Sequence, residues 1–276
     1  MALQPHLRHA RVNGTDLAYA ERGRGVPVVF VHGGFSDYRC WESQVQAFSK
    51  NYRAIAYSMR YHYPNRWGKD GSDYALPVHT KDLAALIEFL NASPAHIVGH
   101  SYGGRIALHL ARDRPDLVRT LTLAEPALIS WLQQTPDGPA LVADLKNNYF
   151  EPATKAIENG NLELAIKLFV VGIGGAGCFE KLPNDVRRRY MDNIRVQAIP
   201  SSSAPFTRED AGRISAPVLL LSGELTTRVS RMVVDELGKC LPYAEREEVP
   251  EASHLMTVFN SDSFNRMTAS FIAKHC

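Results

Sequence analysis

Residues 95–112, AHIVGHSYGGRIALHLAR, constrain the fold more than any other stretch of the chain. The apolar run at residues 96–99 predicts a buried strand, and residues 105–112 predict a helix with apolar residues on successive turns. Between them, Gly99-His100-Ser101-Tyr102-Gly103-Gly104 leaves only a few residues in which to turn. A strand–turn–helix this tight is a nucleophile elbow, which holds the Ser101 Oγ clear of the backbone on a strained turn. Gly99 and Gly103 remove the Cβ atoms that would collide there. The helix that follows aims its first N–H groups at any negative charge that develops beside Oγ.

The rest of the chain repeats the alternation. Further strands are predicted at residues 26–31 (VPVVFV), 53–57 (RAIAY), 119–124 (RTLTLA) and 217–221 (PVLLL). Apolar residues in succession suit strands covered on both faces, as in a mostly parallel sheet layered by helices. Residues 12–21 (VNGTDLAYAE) carry an Asn-Gly and predict an opening antiparallel hairpin. Amphipathic helices are predicted at 78–90, 105–112, 230–241 and 261–274, the last with Ser261 as N-cap. Residues 127–210 break the pattern, being helical with Pro and Gly interruptions, a Gly cluster at 172–177 and a Ser/Pro linker at 200–205. An insertion of that length is too long for a simple connection. The expected organisation is an α/β core from 1–126 and 211–276, with a helical cap from 127–210 laid over the carboxyl ends of the strands.

Charge narrows the class of partner. The 276 residues carry 31 basic and 29 acidic side chains, a formal charge of +2 with no single-sign block. That excludes an electrostatic footprint for nucleic acid or an anionic membrane and favours a small-molecule substrate. The four cysteines, Cys40, Cys178, Cys240 and Cys276, are scattered without metal-ligand spacing and read as free thiols in a reducing compartment. The first residues lack the continuous apolar stretch of a signal peptide, and no run approaches the ~20 apolar residues of a membrane span. A cytoplasmic protein is expected. Oligomeric state is not readable, and a homodimer stays open.

Two more motifs bear on Ser101. His32-Gly33-Gly34-Phe35 closes the strand at 26–31. There the Gly34 N–H can join the Tyr102 N–H as an oxyanion hole. Phe35 is expected to wall the pocket, Trp41 to pack a helix on the core, and His32 to tie loops together. A serine hydroxyl also needs a base to take its proton. Of ten histidines, His6 and His9 fall in the terminus, His79, His109 and His275 on helices, and His96 on a strand. His100 is expected to point beneath the elbow, and His62 is a candidate substrate contact. Only His254 sits late in the chain between a strand and the final helix.

In the order HGG, GHSYGG and a late Ser-His loop, the chain resembles the α/β-hydrolase superfamily. Trp41 and the stretch EASHLMTVFNSDSFNRMTASFI read like its esterase and haloperoxidase-like branch. The resemblance spans residue 12 to the end, apart from the cap. It implies an eight-stranded sheet, a Ser–acid–His triad and no cofactor. The family usually places the acid as an aspartate after the seventh strand, but here that segment is Ser222-Gly223-Glu224-Leu225-Thr226-Thr227, with threonine where the aspartate would stand. Thr226 cannot carry the charge that stabilises an imidazolium. The preferred acid is Glu125, after the sixth strand, a position used by some dehalogenases and lactonases of this fold. Glu224, or a triad with no acid, remain the alternatives.

The expectation is an ester or lactone hydrolase acting through an acyl-enzyme on Ser101. Serine at the elbow speaks against dehalogenase and epoxide-hydrolase chemistry, and Leu255 speaks mildly against the ring-cleavage C–C hydrolases. C–C hydrolysis, perhydrolysis, cofactor-free dioxygenation and a slow ligand-binding role stay as rivals. Trp131 is taken as a pocket residue, although it and Leu132, Phe150, Phe169 and Tyr190 fit the cap's own core equally well.

Overall fold

A computed structural model describes residues 7–67, 71–199, 204–241 and 243–276. His6 and most of the 200–205 linker lie outside the described residues. Among the described residues, eight strands form one sheet: β1 (Arg8–Val12), β2 (Thr15–Arg22), β3 (Pro27–Val31), β4 (Arg53–Tyr57), β5 (Ala95–His100), β6 (Val118–Ala124), β7 (Val218–Gly223) and β8 (Glu245–Val249). Their spatial order is β1-β2-β4-β3-β5-β6-β7-β8. β1 with β2 and β2 with β4 are antiparallel, and all other pairings are parallel. This is the eight-stranded, mostly parallel sheet that the resemblance implied.

The helices are α1 (Glu42–Phe48), α2 (Leu76–Phe89), α3 (Tyr102–Asp113), α4 (Gly138–Leu145), α5 (Glu151–Glu158), α6 (Leu162–Gly174), α7 (Asn184–Asn193), α8 (Arg208–Gly212), α9 (Arg228–Cys240), α10 (Met256–Phe259) and α11 (Ser261–Ala273). Alternation along each strand explains the layers. Val29, Ile55, Ile97 and Leu121 face one core with α2, α3 and α9. Val28, Phe30, Val98 and Leu219 face the other, with Trp41, α1 and α11. Nearly every position of β3 to β7 is buried, so these strands read as mostly apolar runs. Among the described residues, no helix is long and apolar enough to cross a membrane.

The opening hairpin turns at Asn13 and Gly14, whose φ values of 44° and 76° suit the tight turn that an Asn-Gly pair favours. β8 has no apolar run to announce it. Its residues EREEV alternate between half-buried and exposed, because it is an edge strand with one face in solvent. The N-cap of α11 is Asn260 rather than Ser261, since the Asn260 side chain accepts the Ser263 N–H at 3.2 Å.

Helices α4 to α8 all lie between β6 and β7. The middle of this segment has its own apolar cluster, in which Ala153, Ile166, Phe169, Val170, Val186 and Tyr190 pack together with Phe35 and Leu255 of the sheet side. Its two ends behave differently. Trp131, Leu132, Phe206 and Ala211 belong to the sheet's own core.

Candidate active site

β5 ends at His100, and the chain passes through Ser101 at φ 53° and ψ −116° directly into α3. A non-glycine residue in that region is strained, and surrounding contacts must hold it there. Here they do. The Ser101 N–H donates to Ala124 O at 2.9 Å, and Ser101 O accepts from Ala127 N–H at 3.0 Å. The packing beneath is tight: a Cβ built on Gly103 would lie 2.2 Å from Val31 O, and one on Gly99 would lie 2.7 Å from Gly103 O. The elbow is therefore locked between the ends of β3 and β6.

Glu125 is the residue after β6, and its own φ of 43° turns its side chain toward the end of β7. Only 2% of it is exposed. Its Oε1 accepts the Gly223 N–H at 2.8 Å, and its Oε2 accepts the Thr226 hydroxyl at 2.9 Å and His254 Nδ1–H at 2.6 Å. Burial alone would raise its pKa, but the His254 hydrogen bond and charge, with those from Gly223 and Thr226, hold the carboxyl below its ordinary range. With the proton on Nδ1, Nε2 is left to act as a base. Glu224, the alternative acid, is an exposed residue that accepts the Glu251 N–H at 2.8 Å and does not pair with the histidine.

His254 lies on the loop between β8 and α10 and is 4% exposed. Its backbone carbonyl accepts from His100 Nε2 at 2.8 Å, and the two rings lie 4.7 Å apart. Burial, with the neighbouring His254 charge, lowers the His100 pKa to about 3, so His100 stays neutral. It therefore does more than fill space beneath the elbow, because it ties the loop of His254 to the end of β5.

Ser101 and His254 share two small cavities. The first is lined by Gly33, Gly34, Phe35, Tyr190 and Leu255 among others, and the second by Glu125, Ile129, Leu145, Thr227 and Val233 among others. Gly34 and Tyr102 come together beside the first: a Cβ on Gly34 would lie 3.8 Å from Tyr102 Cβ. Gly34 O accepts from Gln197 Nε2 at 2.7 Å, a contact from the inserted segment that has no signature in the sequence. Tyr102 is the first residue of α3.

Two expected pocket residues are elsewhere. His62 is fully buried, with Nδ1 3.0 Å from Arg60 O and Nε2 3.1 Å from Gly34 O. Both edges of its ring meet backbone carbonyls, so it braces the Gly34 loop. Trp131 lines neither cavity. Its indole N–H donates to Phe206 O at 2.6 Å and its ring stacks on Phe206, which fixes it in the core. His32 matches its expected role: Nε2 accepts the Met59 N–H at 3.0 Å and Nδ1 faces Gly33 O at 2.8 Å, joining two loops. Phe35 lines the first cavity, edge-on to Tyr190 with ring centroids 4.8 Å apart.

Comparison with known proteins agrees with this architecture. A family model described as alpha/beta hydrolase fold matches residues 26–159. The chain is 29% identical to the bifunctional esterase/perhydrolase DCH of Acinetobacter calcoaceticus, covering 94% of this chain and 97% of the other. It is 27% identical to the mouse (Mus musculus) sn-1-specific diacylglycerol lipase ABHD11, covering 89% and 80%. The structure of a thermophilic esterase from Thermogutta terrifontis superposes with a TM-score of 0.80 at 18% identity, covering 98% of this chain and all of that one. The sheet order, the elbow and these matches together support an α/β-hydrolase superfamily member. Its relatives there include esterases and a lipase, and it is a hydrolase of this fold.

Proposed function

We propose that the protein is a serine hydrolase that cleaves a carboxylic ester or lactone of a small, apolar substrate through an acyl-enzyme on Ser101. The observation that carries this reading is the buried Glu125–His254 hydrogen bond, 2.6 Å long, beside the strained serine at the elbow. In the first half-reaction, His254 Nε2 takes the Ser101 proton as Oγ attacks the substrate carbonyl. The negative charge on the tetrahedral oxygen falls to the N–H groups of Gly34 and Tyr102. Glu125 keeps Nδ1 protonated and stabilises the imidazolium without taking its proton. His254 then returns the proton to the leaving alkoxide, which departs as the alcohol. In the second half-reaction, the same histidine deprotonates a water that attacks the acyl-enzyme, and the acid leaves with Ser101 restored.

Helices α4 to α7 serve as a cap in this reading, closing the site from above with Tyr190 and Ile173. Perhydrolysis is a second reading, favoured by the DCH relative. Hydrogen peroxide would there replace water as the acyl acceptor at the same histidine.

The test is hydrolysis of short p-nitrophenyl esters, with covalent labelling by a fluorophosphonate. The wild type should turn over and label at Ser101, and Ser101→Ala should do neither while keeping its circular dichroism. Unaltered turnover in Ser101→Ala would end the proposal.

A further inference from the structure

The two cavities that meet at the nucleophile have only three residues in common: Ser101, His254 and Ile173. The first two are the reacting pair. Ile173 is therefore the wall between the chambers. It stands on the last turn of α6, and the residues on either side of it are glycines that let the helix end wedge deeply into the site. A Cβ on Gly172 would meet Tyr149 Cβ at 2.8 Å and Leu145 Cδ1 at 3.1 Å. One on Gly174 would meet Cys178 Sγ at 3.1 Å, and Cys178 Sγ in turn lies 3.3 Å from Ser253 Oγ, beside the base. The helix end is clamped on both flanks, with the isoleucine pressed between the chambers.

The chambers are small and carry little charge. They hold about 30 and 40 Å³ of free space. Each amounts to roughly two to four water-sized spheres, at ~10–15 Å³ per sphere. Neither is lined by lysine or arginine, and the one carboxylate, Glu125, is held by three donors. No lysine or arginine there would pair with a carboxylate or phosphate on a substrate. Resting on the reading above, we propose that the substrate is an uncharged, open-chain ester with a short acyl arm in one chamber and a short alkoxy arm in the other. Ile173 sets that limit as the specificity-determining residue. A wall between the two arms disfavours a lactone, whose arms are joined.

Two ester series measured by proton release test this: ethyl esters from acetate to octanoate, and acetates from methyl to octyl. The wild type should prefer the short members in both, with kcat/KM falling at least tenfold by eight carbons, and should hydrolyse small lactones more slowly than matched esters. Ile173→Ala should raise the octyl-to-ethyl or octanoate-to-acetate ratio at least tenfold, and Ile173→Phe should lower it. Fluorophosphonate labelling of both variants checks that each is folded and competent. If both label and turn over short esters but keep the wild-type chain-length profile, Ile173 is not the wall and the inference falls, while the hydrolase reading stands. A wild type that prefers octanoate also overturns it. A wild type that neither labels nor turns over any ester removes the reading beneath it.

Discussion

Thr226 Oγ1 and His254 Nδ1 converge on one oxygen, Glu125 Oε2, at 2.9 and 2.6 Å. The threonine stands where the family's aspartate is expected, and it donates to the carboxylate that holds the histidine. Glu125→Gln should lower kcat/KM by about 10⁴, the loss seen when a triad acid becomes neutral, and Glu224→Gln should leave it unchanged. Thr226→Val removes a hydrogen bond to a charged group, worth about 1.5–3 kcal/mol, and should lower activity about tenfold or more with Thr226→Ser restoring it. Steady-state kinetics on one short ester decide all four.

The same convergence makes the acid movable. A carboxylate at position 226 would extend from a side chain already within 2.9 Å of Oε2. Thr226→Asp in the Glu125→Gln background should therefore recover at least tenfold over Glu125→Gln alone. No recovery would mean that the β7 loop cannot bring its carboxylate to Nδ1.

Ser101 sits at φ 53° and ψ −116°, a conformation that glycine adopts freely. Strain of this kind costs on the order of 1–3 kcal/mol. Ser101→Gly should abolish turnover yet match or exceed the wild type in urea midpoint. A clear loss of stability would show that the hydroxyl holds the elbow together.

His32, His62 and His79 are each fully buried, and burial lowers each pKa below the ordinary 6.5. A histidine held neutral in the native state takes up its proton mainly when unfolded. Stability from this source is thus full above pH 6.5 and falls as pH drops below it, by about 1.4 kcal/mol per pH unit for each residue. Urea melts at pH 7.5 and 5.5 should show a lower midpoint at 5.5 with the same slope. Equal midpoints would count against neutral burial.

The elements legible in the sequence were those whose packing fixes their composition. Strands buried on both faces must be apolar throughout, so β3, β5, β6 and β7 were visible, and the elbow was fixed by its glycines. Glu125 could be found because a lone carboxylate after a buried strand needs a partner. β8 was hidden, since an edge strand with a solvated face looks like a charged loop. His62 and Trp131 line neither cavity for a shared reason: side-chain type shows what a residue can bond to, not which way its loop aims it. Ile173 had no chemical signature at all. Only the glycines around it hinted that a helix end came close to something.

Ser101 and Glu125 hang from neighbouring strands, β5 and β6, joined by α3. The proposed nucleophile and acid thus travel as one contiguous strand–helix–strand cassette that ends before the inserted helices begin. Lengthening or exchanging those helices, by recombination or in the laboratory, never separates the acid from the nucleophile in the chain. It also leaves Thr227, which faces the second chamber, free to vary under selection for new substrates, provided that Thr226 beside it keeps its hydrogen bond to Glu125.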